Sequence, residues 1–216
     1  MRSADSYGLL LLLIVASLFA TPWSDSTVGE TIAVVLQGGT LVFALHTSRA
    51  RPALIRVAAV LVVVGAVISV LTSSSSDPVR LAFTSSLRLA LSLGATAAIL
   101  KRVARHVDAD GRTLLGALSI YLLLGIVFAN VYGLIGAVES GPFFAGHGDG
   151  SWTDRLYFSF VTMTTLGYGD LTIAHDVGRM LAITEALLGQ LYLVSVVALI
   201  VGNLGETRTP PGPVDG

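Results

Sequence analysis

The chain has 216 residues, of which 53 % are hydrophobic and 12 % charged, and its mean hydropathy is +0.79. These values lie outside the range of soluble globular domains and predict an integral membrane protein. The formal net charge is −1, so nucleic acid is not an expected partner. Because the sequence contains no cysteine, disulfides, thiolate metal sites and cysteine nucleophiles are excluded.

Six apolar runs divide the chain, each bounded by charge, proline or glycine. A hydrocarbon core about 30 Å thick needs roughly 20 apolar residues per helix, and most of the runs approach that length. They cover approximately residues 7–21, 30–46, 52–71, 79–100, 113–138 and 178–203. The first run is short and has a signal peptide as its alternative interpretation. The sequence therefore predicts an all-α membrane protein with six transmembrane helices.

Basic residues alternate with acidic ones from one connection to the next. The connections after the first, third and fifth runs carry mainly acidic residues, whereas those after the second and fourth runs are basic. The basic connections contain Arg49, Arg51, Arg56, Lys101, Arg102, Arg105 and Arg112. By the positive-inside rule, the basic connections and both termini lie in the cytoplasm. We therefore predict a multi-pass protein of the cell membrane with cytoplasmic N- and C-termini.

The decapeptide VTMTTLGYGD, residues 161–170, places three threonines, two glycines and a tyrosine between the last two apolar runs. The segment that leads into this decapeptide and overlaps its first half, residues 151–165, begins SWTD with an N-cap-like Ser or Thr. It is too short to cross the membrane. This pattern predicts a re-entrant helix whose C-terminal dipole end favours a cation near the bilayer centre. Gly167 and Gly169 permit backbone dihedrals that can turn successive carbonyls toward one axis. Thr165 adds a hydroxyl and a carbonyl at the inner end.

The segment TTLGYGD, residues 164–170, resembles the signature sequence of potassium channels, with Leu166 where Val or Ile is commoner. The resemblance implies a homotetramer in which four loops replace the hydration shell of K⁺ with rings of carbonyl oxygens. It also implies permeant K⁺ ions and no organic cofactor. The implied filter residues are Thr165, Leu166, Gly167, Tyr168 and Gly169, with K⁺ bound at Thr165, Leu166, Gly167 and Tyr168. The resemblance covers residues 113–204, and for residues 1–112 it is one of helix count.

Residues beside the filter are predicted to support it or to gate the pore. Thr164 precedes the filter, and Asp170 lies at its outer mouth, where repeated carboxylates could concentrate cations. Gly189 stands where potassium channels have the glycine about which the inner helix bends, and close helix packing is the alternative. An intramembrane carboxylate is costly, so Glu185 is a functional candidate. It could hydrogen-bond the pore helix from behind or attract cations in the cavity.

The predicted organisation has three parts: residues 1–111 form a four-helix membrane domain with a basic linker, residues 112–204 form the pore domain, and residues 205–216 form a disordered cytoplasmic tail. The EALLGQLYLV stretch at the start of the last run resembles the inner helix of small bacterial ion-channel proteins. The layout therefore resembles a six-helix bacterial ion-channel protein.

A voltage sensor needs a basic residue at every third position of the fourth helix, but that run has only Arg80 and Arg88. We therefore expect a degenerate, voltage-sensor-like domain and weak voltage dependence. The basic cluster after the fourth run could rest on the inner pore helices or contact anionic lipid. The cluster consists of Lys101, Arg102 and Arg105.

These patterns predict a potassium-selective channel and not an enzyme, since no nucleophile with its base, phosphate loop or metal cluster is recognisable. One alternative is a subunit of a K⁺ uptake transporter, a class that uses filter-like loops but carries four degenerate ones in a single chain. The other is a weakly selective cation channel, against which the intact Gly-Tyr-Gly argues.

Overall fold

The computed structural model of the protein describes residues 4–19, 27–47, 50–71, 78–103, 111–198 and 202. Within these ranges the chain forms seven α-helices, and a π-helical turn at Leu193–Val197 continues the last of them. The helices are α1 (Ala4–Phe19), α2 (Thr27–Thr47), α3 (Pro52–Leu71), α4 (Pro78–Val103), α5 (Gly111–Val138), α6 (Trp152–Met163) and α7 (Asp176–Tyr192).

A helix occupies each of the six predicted apolar runs, and the short helix α6 lies between the last two. By length and hydropathy, two stretches within the described residues are long and apolar enough to cross a membrane, Leu114–Val138 in α5 and Asp176–Ser195 in α7 and the π-helical turn. Shorter apolar stretches lie at Gly8–Phe19 and Pro52–Val67. The count of six transmembrane helices therefore stays a prediction.

The helices α1 and α4 pack against α5, α2 packs against α1 and α4, and one hydrophobic cluster joins all four. On α4 the buried residues Leu91, Ala95 and Ile99 recur at helical spacing and share this cluster with Leu123 and Ile126 of α5. Small residues at such positions let membrane helices approach closely. Of the first four helices, α1 and α4 thus pack directly against the first helix of the predicted pore domain, whereas α3 contacts α2 and α4.

Glycine permits a close crossing of α2 and α3. A Cβ atom at Gly38 would lie only 2.9 Å from the Cβ atom of Val62. No real side chain could occupy that space without moving one helix away from the other. The helix α3 presents its other side outward, where Leu54, Val57 and Val60 are exposed, as expected of a helix that faces lipid.

Arg88 is buried on α4, with 5 % of its surface exposed. Its guanidinium carbon lies 5.3 Å from the centroid of the Trp152 ring, the first residue of α6. This is the geometry of a cation–π interaction. One turn along α4, the amide nitrogen of Asn130 on α5 donates to the Ser92 hydroxyl at 3.4 Å. Polar side chains of α4 therefore reach both α5 and α6.

Candidate functional site

The helix α6 is fixed at its N-terminus by a capping box. The Asp154 amide donates to the Ser151 hydroxyl at 3.1 Å, and the Ser151 amide donates to the Asp154 carboxylate at 2.8 Å. Both bonds satisfy amides that the helix itself leaves unpaired. With 12 residues, α6 is about 18 Å long, too short to cross a bilayer. The structure has the short helix and the Ser N-cap that the sequence predicts, and the re-entrant placement of this helix stays a prediction.

The backbone after α6 alternates in the sign of φ. The φ angles are +58° at Thr165, +56° at Gly167 and +76° at Gly169, so every second residue lies in the left-handed region. Alternation of this kind lets successive peptide groups turn the same way, which a carbonyl-lined path requires. The two glycines were expected to adopt such angles. The left-handed conformation of Thr165 was not foreseen, because only glycine adopts it readily.

The amides at the inner half of this loop bond back to the C-terminal carbonyls of α6. The Leu166 amide donates to Val161 O at 2.9 Å, and the Thr165 amide donates to Thr162 O at 3.0 Å. Within the described residues, no backbone amide donates to the carbonyls of residues 165–169. The inner amides of the loop therefore bond to α6, and the carbonyls of residues 165–169 receive no backbone amide of the described residues.

Thr164 and Asp170, at the two ends of the loop, both bond to α6. The Thr164 hydroxyl donates to Phe160 O at 2.6 Å, and the Tyr157 hydroxyl donates to Asp170 Oδ2 at 2.8 Å. The second bond raises the pKa of the Tyr157 hydroxyl and keeps it a donor. Asp170 is thus exposed and is held by a side chain of α6. Sequence reasoning missed Tyr157, whose polar tip on a short helix was its only signal.

The segment before α6 supports the outer end of the loop. Phe143 and Phe144 are fully buried, with ring centroids 4.8 Å apart in an edge-on contact. The Ala145 amide donates to Thr172 O at 2.8 Å, and the Ala174 amide donates to Phe143 O at 2.9 Å. These backbone bonds tie the residues that follow Asp170 to an aromatic cluster. The outer end of the loop therefore rests on a packed support.

Glu185 lies behind the loop, on α7, and its side chain is fully buried. The Tyr132 hydroxyl of α5 donates to Glu185 Oε2 at 2.5 Å, and Glu185 Oε1 is hydrogen-bonded to the Ser159 hydroxyl of α6. Of the two positions predicted for Glu185, the structure therefore has the one in which its carboxyl group bonds to α6. Tyr132 and Ser159 were not foreseen, although a polar residue in an apolar segment is a recognisable signal.

Gly189 lies one turn after Glu185 and packs against the end of α6. A Cβ atom at this position would lie 2.8 Å from Met163 O and would also overlap Met163 Cγ. The helix α7 runs without interruption through Gly189 to Tyr192 and then widens into the π-helical turn. This contact gives Gly189 a packing role, and its role as a hinge stays a prediction. The π-helical turn has no signal in the sequence that we recognised.

The remaining predicted contacts are only partly within the described residues. Lys101 is exposed near the end of α4, and Arg102 is its neighbour in the same helix, whereas Arg105 and the tail at 205–216 lie outside the described residues. Anionic lipid at this cluster stays a prediction. In the part of the chain that the structure describes, no group of three or more His, Asp or Glu side chains could hold a metal ion.

Comparison with known proteins gives similarities in this same region. Residues 117–206 match a family described as "Ion channel". The chain is 35 % identical over 89 residues to Two pore potassium channel a of Oryza sativa subsp. japonica, covering 41 % of this chain and 22 % of the relative. It is also 35 % identical over 93 residues to an inward rectifier potassium channel of Paramagnetospirillum magnetotacticum, covering 43 % of this chain and 29 % of that relative.

The stretch that matches the family contains α6, the loop and α7. The chain spans between a fifth and a third of the length of these curated relatives. The prediction that the protein is not an enzyme is confirmed, because the matched family and both relatives are channels. Residues 117–206 are therefore similar to ion channels, and the two relatives support a similarity of this chain to potassium channels.

Proposed function

We propose that the protein is a potassium-selective channel of the cell membrane, which conducts K⁺ passively through a pore shared by four copies of the chain. The observation that carries this proposal is the loop at residues 165–169. Its φ angles alternate in sign and its inner amides bond to α6, so its carbonyl oxygens remain available as ligands. Rings of such oxygens replace the hydration shell of K⁺. The carbonyls of Thr165, Leu166, Gly167 and Tyr168 are the proposed ligands.

The exposed polar groups of this loop support a homotetramer. Residues 164–170 are all exposed in the single chain, and Tyr168 has 67 % of its surface accessible. Backbone acceptors without partners do not face lipid, because each unsatisfied group costs several kcal/mol there. Other copies of the chain must therefore cover the loop and leave only a watery path. One loop per chain and a closed ring fit cyclic symmetry with four members.

The exposed face of α7 is the surface that further copies would cover. Large apolar side chains recur along one stripe at helical spacing and each has more than half of its surface exposed. The stripe consists of Met180, Ile183, Leu187, Leu191 and Val194. Along the chain, this stripe comes after the exposed loop. A contact between copies that buries the loop would therefore bury part of this stripe as well.

The fourth helix supports a weak dependence on voltage. Arg88 is buried against the aromatic ring of Trp152, which belongs to the helix that supports the loop. A charge held in this way is not free to cross the field. Moving one charge through 100 mV is worth about 2.3 kcal/mol, and steep gating needs three or four such charges per subunit. We propose that α4 is a static support of the pore.

The proposal places Asp170 at the extracellular mouth and both termini in the cytoplasm. It keeps Lys101, Arg102 and Arg105 as a candidate contact for anionic lipid, at roughly 1 kcal/mol per charge near the surface. Gly189 remains the candidate hinge of the inner helix.

Flux through purified protein tests the proposal. Proteoliposomes loaded with K⁺ should lose it down its gradient without an energy source, whereas Na⁺-loaded liposomes should not lose Na⁺ at a comparable rate. Native mass spectrometry should show four copies. Equal K⁺ and Na⁺ fluxes would favour a weakly selective cation channel. Movement of K⁺ only against an imposed ion or energy gradient would favour a transporter subunit.

A further inference from the structure

The Ser159 hydroxyl lies between two oxygen atoms behind the loop. Ser159 Oγ is 2.8 Å from the carbonyl oxygen of Gly125 on α5, and it is also hydrogen-bonded to Glu185 Oε1 on α7. The approach to Gly125 depends on the missing side chain there, because a Cβ atom would lie 2.8 Å from Cζ of the Phe160 ring. Ser159, Gly125 and Glu185 thus join α5, α6 and α7 at one point.

The number of hydrogen atoms available around Ser159 limits the direction in which each of its hydrogen bonds can run. A serine hydroxyl has one hydrogen to donate, and a backbone carbonyl can only accept. If Ser159 donates to Gly125 O, the contact between Ser159 Oγ and Glu185 Oε1 needs a second hydrogen. Glu185 is the only member of that pair that can supply it, and it can do so only when its carboxyl group is protonated.

We propose that the Glu185 carboxyl group is protonated and neutral in the folded protein and donates to Ser159. The bonds then run in one direction: Tyr132 donates to Glu185 Oε2, Glu185 Oε1 donates to Ser159, and Ser159 donates to Gly125 O. Each hydroxyl hydrogen has an acceptor, and no net charge is buried. A fully satisfied network of this kind makes a core rigid, whereas a partly satisfied one destabilises it.

The surroundings of Glu185 agree with a neutral group. Within the described residues, the titratable groups that face it are the hydroxyls of Tyr132 and Tyr121 on α5, and Ser159 is the polar group that faces it from α6. A buried carboxylate is tolerated when a cation pairs with it. These neighbours are neutral hydroxyl groups, so an ionised Glu185 would lack that compensation.

With its neutral carboxyl group, Glu185 acts as a positioning residue for the loop. This role rests on the proposed function. Glu185 holds α7 to α6, and one turn later Gly189 packs on Met163, the last residue of α6. The loop begins at the next residue. Tyr121 also donates to Met163 O, at 3.4 Å. Loss of the proton would break the bond to Ser159 and place an unpaired charge behind the loop.

Infrared spectroscopy of the purified protein in lipid at neutral pH tests the protonation directly. We expect the carbonyl stretching band of a protonated carboxyl group, and we expect it to shift when the protein is made with ¹³C-labelled glutamate. Glu185→Gln should abolish the band, and the matched control Glu139→Gln, at an exposed glutamate, should retain it. Absence of the band in the folded wild type, or its persistence in Glu185→Gln, would overturn the proposal.

A second comparison uses the fact that glutamine imitates the neutral acid. Its amide can donate to Ser159 and accept from Tyr132 in the same directions. Tetramer stability and K⁺ flux should therefore survive in Glu185→Gln and be lost in Glu185→Ala. If both variants lose them equally, the neutral form is not what the site requires. If the labelled band is present but no K⁺ flux is found in the wild type, the proposed function fails while the protonation stands.

Discussion

Replacement of Gly167 by alanine separates the role of the loop from ordinary backbone strain. Gly167 has φ +56° and no atom within 4 Å of an added Cβ, so the cost of Gly167→Ala within one chain is the left-handed conformation itself. That cost is about 1–2 kcal/mol per residue. Four copies at one axis would then carry about 4–8 kcal/mol, enough to drive the loop out of its alternating conformation.

Gly146 offers a matched control in the same chain. Its φ is +79°, an added Cβ would again meet nothing within 4 Å, and it lies in an exposed turn outside residues 165–169. Gly146→Ala should therefore cost about the same 1–2 kcal/mol per chain and leave ion selectivity unchanged. Gly167→Ala should abolish K⁺ flux or its preference over Na⁺ in proteoliposomes. Equal selectivity in the two variants would refute the assignment of the loop as the filter.

Four further substitutions test the supports of the loop. Gly189→Ala should destabilise the assembly by about 1–3 kcal/mol through its overlap with Met163, measured as a lower melting temperature, whereas Gly39→Ala, which meets no atom within 4 Å, should not. Tyr157→Phe and Asp170→Asn should each reduce the free energy of unfolding by about 0.5–1.5 kcal/mol. A double-mutant cycle that finds the two effects fully additive would contradict the hydrogen bond between Tyr157 and Asp170. Arg88→Gln should lose about 2 kcal/mol of cation–π stabilisation and leave the voltage dependence of open probability unchanged. A steep voltage dependence in the wild type that flattens in this variant would reveal a working voltage sensor.

Local features of the site could be predicted from the sequence because they depend on short-range chemistry. The SWTD start of α6 forms the capping box, and the glycines of the loop adopt positive φ, since both features depend on residues a few positions apart. The bond between Glu185 and α6 was one of the two alternatives that the sequence left open, because a carboxyl group in an apolar helix needs a partner. These features follow from rules that act within one segment.

Contacts between distant segments could not be predicted in the same way. The position of Arg88 over Trp152 depends on how α4 packs beside α5, and the Tyr132 bond to Glu185 joins residues 53 positions apart. The left-handed conformation of Thr165 goes against its own preference and is held by the bonds of the loop to α6. Tertiary packing decides each of these, and a single sequence carries little of that information.

The most direct test of the central claim is the reversal potential of single channels formed by the purified protein, with K⁺ on one side of a planar bilayer and Na⁺ on the other. If the loop at residues 165–169 selects K⁺ by its carbonyl oxygens, the current should reverse far from zero, at a potential that opposes K⁺ efflux, and should follow the K⁺ concentration as it is changed. A reversal potential near zero that does not move with K⁺ would contradict the account.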